Sequence, residues 1–366
     1  MRSLNQKKNY FAIMTKLLNF HSLVHNSRTM KVHEHQALRL FNTFGIDVKA
    51  RYFVVFEQVG DITEFLGETR FRGLPRLILG GGSNVLFRQD YPGVILHMEF
   101  KGIELLDESG ADVIIRAAAG ENWHEFVRTT IEWGYAGLEN LSLIPGTVGA
   151  APIQNIGAYG VELREVFYEL EAVDLEAGMA KIFSQNAVNF SYRDSYFKSM
   201  VPGKWLITSV TFRLPKQPRW QIDYRGLSDK LVVDNEPLSA RRISDVICQL
   251  RRDKLPDPTR QGNAGSFFKN PIVSATEYKV LISESPELPG FEQSNGAYKL
   301  SAGWLIERCG WKGHREGDAG VSNMHALVLV NYGNASGESI WQLAQRIMAS
   351  VRVRFGVALE PEPRVI

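Results

Sequence analysis

Cysteine is scarce in this chain: Cys248 and Cys309 are the only two in 366 residues, far apart and in no CxxC or Cys/His spacing. That excludes a disulfide scaffold and a thiolate zinc site, and it suits a reducing cytoplasm. Long apolar runs are missing too. None reaches the roughly 20 residues needed to span a bilayer, so no membrane partner is expected. Neither sign of charge dominates: 42 Lys and Arg against 40 Asp and Glu leave a net charge of +2. That gives nucleic acid no footing as a partner. GxGxxG is also absent. At the turn Gly80-Gly81-Gly82-Ser83-Asn84 the place of the last glycine is taken by Val85, so a Rossmann site is not supported. His33-Glu34-His35 lacks a third ligand, and no metal is expected.

What remains is an ordinary globular composition, 44% hydrophobic and 22% charged, on a chain long enough for two or three domains. Arg2, Lys7, Lys8, Lys16, Arg28 and Lys31 accumulate before the first acid, Glu34. Residues 1–33 therefore read as a disordered or over-called extension, with Met30 as the expected start. Tyr52 to Phe56 is a strand candidate, and Asp61 can cap a helix with Glu64 three residues on. Arg76 to Leu79 is a buried strand that runs straight into the glycine turn, with Val85 to Phe87 as the next strand.

Successive glycines let backbone N–H groups converge on one anion, which makes Gly80 to Asn84 a candidate phosphate nest. A plain hairpin turn is the alternative. Val113 to Gly120 reads as a strand and Trp123 to Trp133 as a core-facing helix. Two small-residue tracts follow, one holding Pro145, Gly146, Thr147 and Gly149, the other Gln154, Asn155, Ile156, Gly157 and Ala158. They allow backbone to approach a flat ligand, with Gln154 and Asn155 offering amides, or they pack tight turns. In Ser191-Tyr192-Arg193-Asp194-Ser195, the arginine between Tyr192 and Asp194 reads as a structural ion pair, in which Asp194 would orient the guanidinium.

The densest stretch is Gly262 to Pro271 (GNAGSFFKNP), eight residues after Lys254-Leu255-Pro256-Asp257-Pro258. Two glycines precede a lone hydroxyl, two aromatic rings, a cation and an amide, a composition that marks either a site or a solvated turn. Ser266 has no Gly-x-Ser-x-Gly elbow and no motif-placed histidine, so a hydrolase is rejected. Ser239 to Arg251 reads as an amphipathic helix, Tyr298 to Glu307 as a helix start, and Ala326 to Val330 as a strand. A helix from Ser336 to about Phe355 precedes a C-terminal strand, 357–366, in which Glu360 and Glu362 would share a face.

From Leu40 to Ile366 the motifs fall in the order of the UDP-N-acetylenolpyruvoylglucosamine reductases, the family this chain resembles. The resemblance implies an α+β fold with a two-part FAD-binding domain of the vanillyl-alcohol-oxidase-like (PCMH-type) superfamily over residues 34–215. An α+β substrate-binding domain, 216–356, and the returning strand, 357–366, complete it. It further implies FAD held by Gly80, Gly81, Gly82, Ser83, Asn84 and the two tracts. No histidine lies between His35 and His97, so the flavin is expected to be non-covalent.

Other implications concern the reaction. Hydride passes from NADPH to FAD and from flavin N5 to an enolpyruvyl nucleotide sugar. Ser266 gives a proton, Arg193 supplies a cation, and Glu360, as the first acid of Leu-Glu-Pro-Glu, supplies a hydrogen bond. Tyr159, Tyr224, Arg251, Lys254 and Asn270 contact the substrate, Tyr224 being the covering tyrosine of the longer-loop type. One pocket shared by both substrates predicts ping-pong kinetics. A monomer is expected. An FAD oxidase of the same superfamily and a non-catalytic binding protein are the rival readings.

Overall fold

The computed structural model describes residues 29–224, 226–232 and 236–366. Residues 1–28 of the expected extension lie outside the described residues. The remainder of it does not read as an extension, because β1 (Lys31–Ala37) pairs antiparallel with β2 (Lys49–Phe56).

The central layer is a four-stranded sheet in the order β1-β2-β5-β3, with β3 at Arg76–Leu79 and β5 at Tyr91–Met98. The short β4 (Val85–Leu86) lies between these last two in the chain. Both β3 and β2 run parallel to β5. Side chains alternate across a strand, and here both faces are buried. Val54, Phe56, Val94 and Leu96 enter one core, while Phe53, Val55, Ile95, Leu77 and Leu79 enter the other. That double burial is why these strands read as unbroken apolar runs.

On the first face, helix Val59–Gly67 packs Ile62 and Phe65. It starts earlier than expected: Gln58 is the cap, and Asp61 is the third helical residue that closes the reciprocal pair of bonds. The same core holds an antiparallel five-stranded sheet. Its members are β6 (Ile103–Asp107), β7 (Asp112–Ala118), and three later strands, Phe167–Asp174, Ala180–Ser184 and Trp205–Pro215. Helix Trp123–Glu132, capped by Asn122, lays Phe126 against Phe212 with ring centroids 4.8 Å apart.

On the second face lie Phe267, Phe268, Leu305, Ile306, Leu329, Ile340 and Ile347. The sequence boundary at residue 215 therefore divides the chain but not the hydrophobic core. Helix Ala240–Lys254 forms a third small cluster with Leu227 and Leu231.

Two elements differ from expectation. Tyr298–Leu300 is the central strand of a three-stranded sheet, and the helix begins only at Ala302, capped by Ser301. The aromatic residue there serves strand pairing rather than a helix start. In the C-terminal segment only Arg364–Val365 forms a strand, parallel to β4, because Pro361 and Pro363 bring no N–H to a ladder.

Candidate active site

The glycine turn and the first small-residue tract pack loop against loop. A Cβ on Gly81 would stand 3.0 Å from the Gly146 Cα, and one on Gly82, at φ +62°, would stand 2.0 Å from the Phe41 carbonyl oxygen. Ser83 Oγ donates to the Pro145 carbonyl at 3.0 Å. Among the described residues, the backbone N–H groups of Gly81, Gly82, Ser83, Gly146 and Thr147 donate no hydrogen bond. Two facing loops with free N–H groups fit a pyrophosphate, whose charge would satisfy donors the chain leaves open.

The second tract behaves differently. Asn155 is fully buried and in the left-handed region at φ 43°. Its amide is spent inside the protein: Nδ2 donates to Glu162 and to the Ser191 carbonyl, and Oδ1 accepts from Arg164 N. Asn155 therefore does not offer its amide to a ligand as expected. Ile156 belongs to the core, and Gly149 is small because Ala119 packs on it. Gln154 is tied to Asn84 Nδ2.

Arg193 sits in a tight turn closed by mutual N–H···O=C bonds between Ser191 and Asp194. Its φ of 56° is left-handed, a conformation that costs a non-glycine residue about 1–3 kcal/mol. Nη2 donates to the Gly157 carbonyl at 2.8 Å, and Nε lies 3.3 Å from Glu362 Oε1. That contact is an ion pair without hydrogen-bond alignment, so the buried Nε has no hydrogen-bond partner among the described residues. Asp194 does not orient the guanidinium; its carboxylate accepts from Ser195 N and Ser199 Oγ.

The acid beside Arg193 is thus Glu362, with a side chain 13% exposed. Glu360, the acid expected to serve the substrate carboxylate, points outward with a side chain 73% exposed and pairs with Lys269 at 3.1 Å. The reason is the backbone. Lys269 N donates to the Glu360 carbonyl, Glu362 N donates to the Phe267 carbonyl, and no regular strand forces the two acids onto one face. Glu362 is in fact a junction: its carbonyl also accepts from Asn84 Nδ2 at 3.3 Å. One residue therefore joins the glycine turn to the loop of Ser266. That loop is fixed by Gly265, at φ +67°, whose N–H is held by Asn263 Oδ1. Ser266 is half-buried, and its Oγ has no hydrogen-bond partner among the described residues.

Farther along, the Tyr159 and Tyr224 rings meet edge to face at 5.2 Å. Burial raises the Tyr159 pKa, and the nearby Arg251 opposes that shift. Burial in turn lowers the Arg251 pKa. Arg251 Nε donates to the carbonyl of Leu143, whose N–H is held by His124. No carboxylate of the described residues pairs with Arg251, Lys254 or Lys299. Lys254 is exposed at the end of its helix. Lys299, not anticipated, stands over the Tyr192 ring at 5.1 Å. Asn270 spends its Oδ1 on Ala302 N. Cations without acids are what an anionic ligand requires.

Comparison with known proteins bears on the same regions. Residues 50–182 match the FAD binding domain, and residues 257–366 match the C-terminal domain of UDP-N-acetylenolpyruvoylglucosamine reductase. The reductase of Pseudomonas putida is 50% identical over 341 residues, covering 92% of this chain and 99% of that protein. This chain belongs to the UDP-N-acetylenolpyruvoylglucosamine reductase family. The Amoebophilus asiaticus reductase is 47% identical over 338 residues, covering 92% of this chain and 100% of its own length. The crystal structure from Thermus caldophilus shares the fold with a TM-score of 0.64 at 24% identity, over 92% of this chain and 99% of that one. The family's chemistry is FAD-dependent oxidoreduction, and the α+β fold with an FAD-binding domain is the one expected. No helix among the described residues is long and apolar enough to cross a membrane.

Proposed function

We propose that this chain reduces UDP-N-acetylglucosamine enolpyruvate to UDP-N-acetylmuramate, a cytoplasmic step in peptidoglycan precursor supply carried out by a monomer. Bound without a covalent link at the facing loops Gly80–Asn84 and Pro145–Thr147, FAD would carry hydride from NADPH to the terminal carbon of the enol ether. Negative charge then develops on the adjacent carbon and the substrate carboxylate, where preorganised partners lower the barrier most. Arg193 supplies that charge partner with its guanidinium, whose Nε lies 3.3 Å from Glu362 Oε1. Glu362, rather than Glu360, is the acid that holds it. Ser266 Oγ, without a hydrogen-bond partner among the described residues, gives its proton to the carbanionic carbon. A hydroxyl is a weak acid, so the step requires a strongly basic carbon. Tyr159, Tyr224, Arg251, Lys254 and Asn270 receive the nucleotide sugar, and residues 216–356 form its domain.

The observation that carries this reading is Glu362, whose N–H, carbonyl and side chain meet the Ser266 loop, the glycine turn and Arg193 respectively. The test is spectral. The protein should show a flavin spectrum that bleaches with NADPH without oxygen and returns on addition of the enolpyruvyl sugar. Return with air alone would instead favour an oxidase.

A further inference from the structure

We propose that Lys198 is a positioning residue for the same reaction, its ammonium holding the Arg193 backbone so that the guanidinium stays aimed at the substrate. This rests on the reading of Arg193 given above. Lys198 lies on the short helix Tyr196–Ser199, directly after the Arg193 turn, and its Nζ donates to the Arg193 carbonyl at 3.0 Å. That carbonyl belongs to the residue held in the left-handed region. A peptide so placed keeps its orientation only while its surroundings fix it. Here the turn is gripped on both sides, by Asn155 Nδ2 at the Ser191 carbonyl and by Lys198 at the Arg193 carbonyl.

The site's own charges would not place an ammonium there for stability. No carboxylate of the described residues forms an ion pair with Lys198. Its charged neighbours are Arg193 and Asp194 of the turn, Lys269 of the Ser266 loop and Glu362 of the C-terminal segment. Burial lowers its pKa from the ordinary lysine value and Lys269 and Arg193 add to that, while Glu362 and Asp194 oppose it. An ammonium kept at that cost, and spent on one carbonyl, marks a geometric duty. Lost protonation on the alkaline side should therefore release the turn.

The test uses the FAD-loaded full chain in anaerobic stopped flow. Reduction by NADPH and reoxidation by the enolpyruvyl sugar are measured separately for Lys198→Met, Lys198→Arg and Arg193→Ala. Misplacing a reacting group by about 1 Å costs on the order of 100-fold. Lys198→Met should therefore slow reoxidation by about 10- to 100-fold, with NADPH reduction changed less than about twofold. Lys198→Arg, which keeps the charge, should recover most of the rate. The alkaline fall of the wild-type reoxidation rate should vanish in Lys198→Met. Equal slowing of both halves, or an unchanged reoxidation rate, would overturn the proposal. If Arg193→Ala reoxidises normally, the reading of Arg193 fails instead; if it is slow while Lys198→Met is not, only Lys198 is dismissed.

Discussion

In the proposed reaction, Gly80–Asn84 and Pro145–Thr147 would offer backbone to FAD, whereas Arg193, Ser266 and Glu362 would offer side chains to the substrate. The first region needs the absence of Cβ atoms, since a methyl on Gly81 would press on Gly146. The second needs side chains from three distant parts of the chain, gathered around Glu362. A backbone site should therefore fail by losing cofactor, and a side-chain site by losing chemistry with cofactor in place.

The sharpest way to separate the two is Ser266→Ala. Removing a general acid typically costs 10²–10⁴-fold, so reoxidation of reduced flavin by the enolpyruvyl sugar should fall by about that factor. Flavin content and the NADPH half-reaction should stay as in wild type. Equal loss in both halves would dissolve the distinction.

Gly81→Ala should do the reverse. Its Cβ forces the two loops apart, and FAD affinity, measured by equilibrium titration of the apoprotein, should weaken about tenfold, or ~1.4 kcal/mol. Turnover per bound flavin should change little.

The smallest effect is expected at Glu139. Glu139 is buried and accepts from Gly137 N at 2.6 Å, and burial raises its pKa above the ordinary 4.5. With the folded pKa above the unfolded one, the folded state binds more protons between the two values. Stability therefore falls as pH rises through that window and stays lower above it. Glu139→Gln keeps an oxygen for Gly137 and removes the charge. Melting temperature should rise by about 1–2 °C at pH 8 and remain unchanged at pH 4.

The same contrast explains what could be read in advance. Backbone sites advertise themselves by composition: the glycine turn and the Pro145 tract stand out because few other residues fit. Arg76–Leu79 and the helix capped by Ser336 were equally legible, since local pattern and capping agree with the fold. The resemblance pointed to Glu360, but the residues themselves could not separate it from Glu362, because a strand would have put both on one face and the two prolines prevent that strand. Asn155 looked like a ligand contact because an amide's partners are set by the fold, here by Glu162, Ser191 and Arg164. Lys198 gave no sequence signal at all; its value comes from the carbonyl it meets.

One measurement bears most directly on the account: the reoxidation rate of NADPH-reduced protein by the enolpyruvyl sugar, compared between Glu362→Gln and Glu360→Gln with flavin content matched. Glu362→Gln should be slower by on the order of 100-fold, while Glu360→Gln should stay within about threefold of wild type. A slow Glu360→Gln beside a normal Glu362→Gln would contradict it.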